Sequence, residues 1–118
     1  MAIDTDFRAA MLAHAPLVAL IDDRLSLNVA PDTDTLPIAV YSVRTDRVLG
    51  LDGTLHARRA TIDVQIWAES AAAARQAADE LVAAVATVPD KAVVTDDRDT
   101  YEPDLKIDGV LLTVVWMD

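Results

Sequence analysis

Residues 60–68 alternate apolar and polar side chains, and this alternation constrains the fold more than any other feature of the sequence. Ile62, Val64 and Ile66 fall on one side of an extended chain, and Asp63 falls on the other. A period of two is typical of a β-strand with one buried side and one side in water. The sequence therefore predicts a sheet that is covered on one face and exposed on the other.

An alanine-rich helix is predicted directly after this strand, over residues 71–88. Ser70 stands at its start, where a hydroxyl group can accept a hydrogen bond from the backbone of the first turn. The side chains that would form its apolar stripe are Ala74, Ala78, Leu81, Val82 and Val85. Because alanine is small, we expect this helix to pack closely on the sheet.

The rest of the chain adds a helical segment and further strands. Residues 4–21 have helical spacing, but Pro16 cannot sit inside a helix, so we expect a break near His14 and a short second helix after it. The other predicted strands are 25–29, 38–44, one that begins at 92–94, and 105–117. Residues 46–53 are expected to be an extended loop or hairpin tip, and residues 96–104 an acidic connection.

These elements predict one α+β domain over residues 1–118. Five short strands with mostly short connections favour an antiparallel sheet of about five strands, with two helices packed on one face. The residues expected to share its core are Ile62, Val64, Ile66, Leu81, Val85, Val110, Leu112 and Val114. Residues 110–116 are apolar on both sides, so this strand should lie centrally in the sheet or be covered by another subunit.

Composition excludes several classes of protein. The chain is 53% hydrophobic, which is incompatible with a wholly disordered protein. It has no cysteine, so disulfides, thiolate zinc sites and thiol nucleophiles are excluded. No basic leader or apolar run of membrane-spanning length is visible, so we expect a soluble protein made in the cytoplasm. A net charge of −10 disfavours sequence-independent binding to nucleic acid.

No residue pattern points to catalysis. His14 and His56 lack partners at metal-ligand spacing, and the serines lack a glycine-flanked nucleophile turn. The aspartates at 32–34 and 96–99 do not continue into a calcium-binding loop, and solvated turn residues explain them better than a metal site. We therefore expect no enzyme activity, no metal and no cofactor.

Charge is segregated along the chain. Residues 44–59 contain four arginines and two aspartates, net +2, whereas residues 1–34 and 90–108 are each net −4. A basic segment flanked by acidic ones suits head-to-tail association between copies of one chain. The residues predicted to form a subunit or tube interface are Arg44, Arg47, Leu49, Leu51, Arg58 and Arg59. The alternative is that these segments are ordinary solvated loops.

The order of several short strings resembles a known family. They are FRAAMLAHAPLVALIDDR at 7–24, APD at 30–32, LPIAVY at 36–41, LDG at 51–53, ATIDVQIWA at 60–68 before the alanine-rich helix, and YEP at 101–103. In this order and spacing, which spans nearly the whole chain, the sequence resembles the small tail completion, or tail terminator, proteins of long-tailed bacteriophages and prophages.

The resemblance implies a structural virion protein without catalytic residues. Such a protein would be made in the host cytoplasm and form a ring, a hexamer, at the head-proximal end of the tail. There it would end tube polymerisation and join tail to head. Its implied partners are the tail tube protein and the head connector protein, with no membrane and no specific nucleic acid, while DNA passes through the lumen.

Two other classes of function stay open at this point. The first is another head-tail connector or tail tube component of similar fold. The second is an enzyme or a small-molecule-binding domain, which a buried polar pocket would favour.

Overall fold

A computed structural model describes residues 3–31, 35–49 and 55–117, with the backbone alone at 46–49 and 55–58. Its elements are α1 (Ile3–Leu12), α2 (Ala15–Ile21), β1 (Leu25–Leu27), β2 (Ile38–Leu49), β3 (Leu55–Ala68), α3 (Ala71–Ala86), β4 (Ala92–Glu102) and β5 (Ile107–Met117). The predicted α+β class and the predicted order of elements are confirmed. Among the described residues, no helix has both the length and the apolar composition needed to cross a membrane.

The strands form one sheet in the order β1-β2-β3-β5-β4. The β2–β3, β3–β5 and β5–β4 pairs are antiparallel, as expected. β1 instead runs parallel to β2, through the pairs Leu25↔Ala39 to Leu27↔Tyr41, so the sheet is mixed. The prediction missed this pairing because β1 has only three residues, too few for a pattern to indicate its direction.

The helix boundaries follow from local chemistry. His14 is the N-cap of α2 and Pro16 lies in its first turn, where the missing N–H has no intrahelical acceptor to lose, so the predicted break is confirmed. The Ser70 hydroxyl accepts a hydrogen bond from the backbone N–H of Ala73 at 3.1 Å and caps α3. Three helices are therefore present among the described residues, because the break before Pro16 divides the N-terminal helical segment into α1 and α2.

The core lies between the helices and one face of the sheet. All eight residues predicted to share it are at most 3% exposed. Phe7 from α1 joins them, with its ring 5.2 Å from that of Tyr41 and 6.1 Å from that of Trp116. No polar or charged side chain is buried among the side chains that the structure describes, so the core depends on apolar packing.

The other face of the sheet carries no helix among the described elements. Asp63 and Gln65 are exposed there, as the alternation predicts. β5 lies between β3 and β4, which confirms its expected central place, and Leu111 and Val115 on its outer side are half-buried.

Two expected connections are strands in the structure. β2 continues through residues 46–49, which were expected to be a loop or hairpin tip. β4 continues through residues 96–102, which were expected to be an acidic connection. Residues 96–102 include no buried side chain, so this part of β4 does not need the apolar alternation by which a strand is recognised in a sequence.

Candidate assembly surface

β2 and β3 extend beyond the rest of the sheet as a two-stranded hairpin. β3 pairs with β5 only from Arg59 to Ala68, whereas its pairing with β2 begins at Leu55. Residues 46–49 and 55–58, called the hairpin arm below, therefore pair only with each other among the described strands. Four residues per strand extend the arm by about 13 Å at about 3.3 Å per residue.

The register of the arm sets two like charges opposite each other. Arg47 pairs with Arg58, and Asp46 pairs with Arg59 at the base of the arm. Like charges directly across an antiparallel pair are unfavourable, and a two-stranded hairpin alone is marginally stable in water. The pairing within the arm is therefore less stable than the pairing in the rest of the sheet.

The structure brings together part of the predicted interface. Arg47 and Arg58 are direct cross-strand partners, and the paired backbone at Leu49 belongs to the same arm. Arg44 and Arg59 are exposed at its base, where Arg44 pairs with Thr61.

Four of the six predicted interface residues have side chains that the structure does not describe. Leu51 lies outside the described residues. The side chains of Arg47, Leu49 and Arg58 belong to the segments described by backbone alone.

The acidic counterpart of the arm lies on β4 at the edge of the sheet. Arg75 of α3 donates to both carboxylate oxygens of Asp97, at 2.8 and 3.0 Å, and also to Asp99. These hydrogen bonds raise the pKa of Arg75 above its ordinary value. Asp96 faces the opposite side, 3.7 Å from Nε of Arg98. The sequence predicted the start of this strand at 92–94 but not its continuation through 96–102, although the β-favouring residues Thr95, Thr100 and Tyr101 were a signal.

In the described part of the chain, no group of three or more His, Asp or Glu residues could hold a metal ion. His14 is 3.0 Å from the carboxylate of Glu80 through Nε2, a contact that ties the start of α2 to α3. The distinctive features of the described part of the chain are three surfaces: the basic hairpin arm, the acidic strand β4 and the exposed face of the sheet.

Fold and surface thus define a small α+β protein whose distinctive features are suited to contacts with other macromolecules. A family model for tail completion protein gp17 matches residues 5–117, and the chain belongs to this family. It is a structural protein of the phage tail, and thus a virion component that assembles with other tail and head proteins.

The other comparisons bear on the fold. A chain from a structure titled "Virion of native gene transfer agent (GTA) particle" superposes with a TM-score of 0.72 at 14% identity. The match covers 98% of this chain and 93% of that one, so the two chains share a fold. No curated protein sequence matches.

Proposed function

We propose that this protein forms a ring, a hexamer, at the head-proximal end of a phage tail, where it ends polymerisation of the tail tube and joins the tail to the head. Its partners there are the tail tube protein and the head connector protein. Membership of the tail completion family supports this role. The observation that carries it is the hairpin arm, a projecting basic element whose two strands pair, within the described part of the chain, only with each other.

The arm and its base supply the contacts between subunits or with the tube. The proposed interface comprises Arg44, Arg47, Leu49, Leu51, Arg58 and Arg59. An anionic neighbour would offset the repulsion between Arg47 and Arg58, which pair across the two strands. The protein needs neither an enzymatic step nor a cofactor for this role.

The net charge of −10 suits a ring through which DNA passes. Carboxylates that line a channel repel the phosphate backbone and leave DNA free to slide. The charge supports passage without adhesion and gives no basis for specific recognition of nucleic acid.

A deletion strain tests the position of the protein in the virion. The proposal predicts filled heads beside separate tails, some of them overlong because nothing caps the growing tube. Capped tails of normal length beside heads that lose DNA would favour a connector instead. Normal infectious particles in electron micrographs would contradict both roles.

Charge reversal tests the interface. The double variant Arg47→Glu, Arg58→Glu should fold normally yet fail to restore head-tail joining in the deletion strain. The matched control is Arg98→Glu with Lys106→Glu, two exposed positions away from the arm that give the same change in net charge. If the arm variant restored head-tail joining, Arg47 and Arg58 would not be part of the interface.

A further inference from the structure

The sheet ends in two edges, and each has a long stretch without a partner strand among the described strands. On one side β4 is the last strand, and residues 92–102 pair only with β5. On the other side β1 covers only residues 39–41 of β2, so residues 42–49 pair only with β3. These segments are called the β4 edge and the β2 edge below. Unpaired backbone groups along an edge can receive a further strand.

Hydrogen bonds to β1 and its flanking residues show which residues of the β2 edge point outwards. The N–H of Ala39 donates to the carbonyl of Arg24 at 2.9 Å, and the carbonyl of Tyr41 accepts from the N–H of Asn28 at 2.8 Å. Backbone groups alternate between the two sides along a strand, so every second residue after Tyr41 points the same way. Thr45 therefore directs its N–H and its carbonyl away from β3.

Exposed apolar side chains are concentrated at the same two sides of the sheet. Leu27 in β1 is exposed, and Val29, just after it, is 76% exposed. On β4, Val93 is 57% exposed and Tyr101 is exposed as well. An apolar groove of about 320 Å³, whose lining includes Ala86 and Val93, opens beside the start of β4. Apolar surface gathered in this way indicates contact with another macromolecule.

Strand direction suits pairing between the β4 edge of one copy and the β2 edge of the next. Three successive antiparallel pairings, β2–β3, β3–β5 and β5–β4, make β4 antiparallel to β2 within one chain. When the strands lie along the axis of a ring, successive copies keep the same strand direction. β4 of one copy then meets β2 of the next as an antiparallel pair, with the helices of both copies on the same face.

Charge favours the pairing of unlike edges over the pairing of like edges. The β4 edge carries four carboxylates and one arginine, net −3, so two β4 edges would set carboxylates opposite carboxylates. In the described side chains of the β2 edge, residues 42–45, the charged one is Arg44, which is exposed. Asp97 and Asp99 already bind Arg75 of their own chain. Backbone pairing therefore carries the contact, and charge selects the partner edge.

We propose that the β4 edge of one copy of this chain pairs with the β2 edge of a second copy, so that the sheets of neighbouring subunits join. The inference rests on the proposed function, in which copies form a ring, and names the two surfaces that meet. Because β1 occupies residues 39–41, the pairing lies along residues 42–49 and includes the β2 strand of the hairpin arm. Two different edges meet, so the contact is heterologous and can be repeated around a closed ring.

Cross-linking of a double-cysteine variant tests the contact directly. The natural chain has no cysteine, so the introduced thiols are the only ones. The variant carries Thr45→Cys on the β2 edge and Thr95→Cys on the β4 edge, both at exposed positions. The bismaleimide used is too short to span the three strand spacings, about 14 Å at about 4.8 Å each, between β2 and β4 of one chain. The samples are the concentrated full-length chain and tails purified from a deletion strain that carries the variant.

The expected result is a series of linked dimers, trimers and larger multimers from the double variant, in the concentrated chain or in the tails. Each single variant should stay unlinked. The matched control, Thr45→Cys with Ala72→Cys at an exposed position of α3, should give several-fold less product. A double variant that stays unlinked in both samples would overturn the inference. So would a linked dimer from Thr95→Cys alone, because it would show that two β4 edges meet.

A proline on the β2 edge tests the backbone pairing. Thr45→Pro removes an N–H that points outwards and takes no hydrogen bond from the β2–β3 pairing, so the chain should still fold, as circular dichroism checks. Its ring lies in the path of the added strand, so joining of heads to tails in the deletion strain should fall at least tenfold. Thr45→Ala, which keeps the N–H, should restore joining. Full joining with Thr45→Pro, or equal loss in both folded variants, would overturn the inference.

These outcomes separate the inference from the proposed function. If the deletion strain makes overlong tails and the double variant stays unlinked, the function stands and the two edges do not pair. If the deletion strain makes normal particles while the concentrated double variant gives linked multimers, the edge pairing stands and the tail role fails.

Discussion

The body of the protein and its hairpin arm share two strands but are stabilised in different ways. In the body, helices cover one face of a five-stranded sheet, and Ile62 and Leu81 in the shared core are 0% exposed. In the arm, two strands pair only with each other among the described elements, and Arg47 stands opposite Arg58. The difference teaches that the body can fold on its own contacts, whereas the arm, in the role we propose, is completed by a partner.

The largest expected effect is in the body. Leu81→Ala removes a side chain that is fully buried between α3 and the sheet, so we expect the free energy of unfolding to fall by about 2–5 kcal/mol. Denaturant unfolding of the full-length protein measures this. The matched variant Leu49→Ala, in the arm, should change the same quantity by less than about 0.5 kcal/mol. If the two variants lost similar amounts of unfolding free energy, the body and the arm would not differ in how they are stabilised.

A second prediction concerns close packing on the open face of the sheet. A Cβ atom added at Gly109 would lie 2.6 Å from Cε3 of Trp67 and 2.9 Å from the carbonyl oxygen of Ile66. The ring can shift but the backbone oxygen cannot easily, so Gly109→Ala should destabilise the protein by about 1–3 kcal/mol. Thermal unfolding checks this.

Removing the ring tests which contact dominates in the Gly109 variant. In a Trp67→Ala background, Gly109→Ala should still destabilise, because the Ile66 carbonyl remains. A neutral effect there would assign the whole strain to the tryptophan.

A third prediction uses pH to probe the core of the body. Burial, reinforced by the nearby charge of Asp4, raises the pKa of the Tyr41 phenol above its ordinary value of 10.0. The folded chain therefore keeps this proton at a pH where the unfolded chain loses it. The stability linked to Tyr41 is present below about pH 10 and declines as pH rises through the raised pKa.

Two variants isolate the contribution of Tyr41. Tyr41→Phe should flatten the decline in stability above pH 10, and should also lose the hydrogen bond from the hydroxyl to the Asp4 carbonyl, 3.3 Å away. Tyr101→Phe, at a side chain that is 53% exposed, is the matched control. An unchanged pH profile in Tyr41→Phe would contradict the assignment.

The smallest expected effect distinguishes folding of the arm from its assembly. The single change Arg47→Glu sets opposite charges across the Arg47↔Arg58 pair. It should stabilise the isolated chain by about 0.2–1 kcal/mol while weakening self-association. Denaturant unfolding and light scattering of the same sample measure both quantities. If the free energy of unfolding and the strength of self-association both rose or both fell, folding of the arm and its assembly would not be separable.

The sequence predicted the body better than the arm and the acidic strand. Ile62, Val64 and Ile66 alternate because one side of β3 faces a core, and that physical cause leaves a readable pattern. Residues 96–102 include no buried side chain, so this part of β4 leaves no such pattern, and residues 46–49 show little periodicity in the sequence. The direction of β1 depends on its distant partner β2, which local periodicity does not contain.

The candidate site was predictable in composition and not in geometry. Charge counting located a basic segment at 44–59 and an acidic one at 90–108. It could not place Arg47 against Arg58, because strand register is set by pairing along the whole hairpin. Charge counting also could not reveal the apolar groove that Ala86 and Val93 line. This groove forms where the end of α3 meets the edge of the sheet.

The central claim is that the arm is completed by a partner, and hydrogen exchange measures this most directly. Backbone amides of residues 46–49 and 55–58 should exchange rapidly in the isolated full-length chain, while those of β3 from Ala60 to Ala68 stay protected. In assembled tails the arm amides should become protected by at least tenfold. Arm amides that exchange at the same rate in the isolated chain and in the assembled tail would contradict the claim.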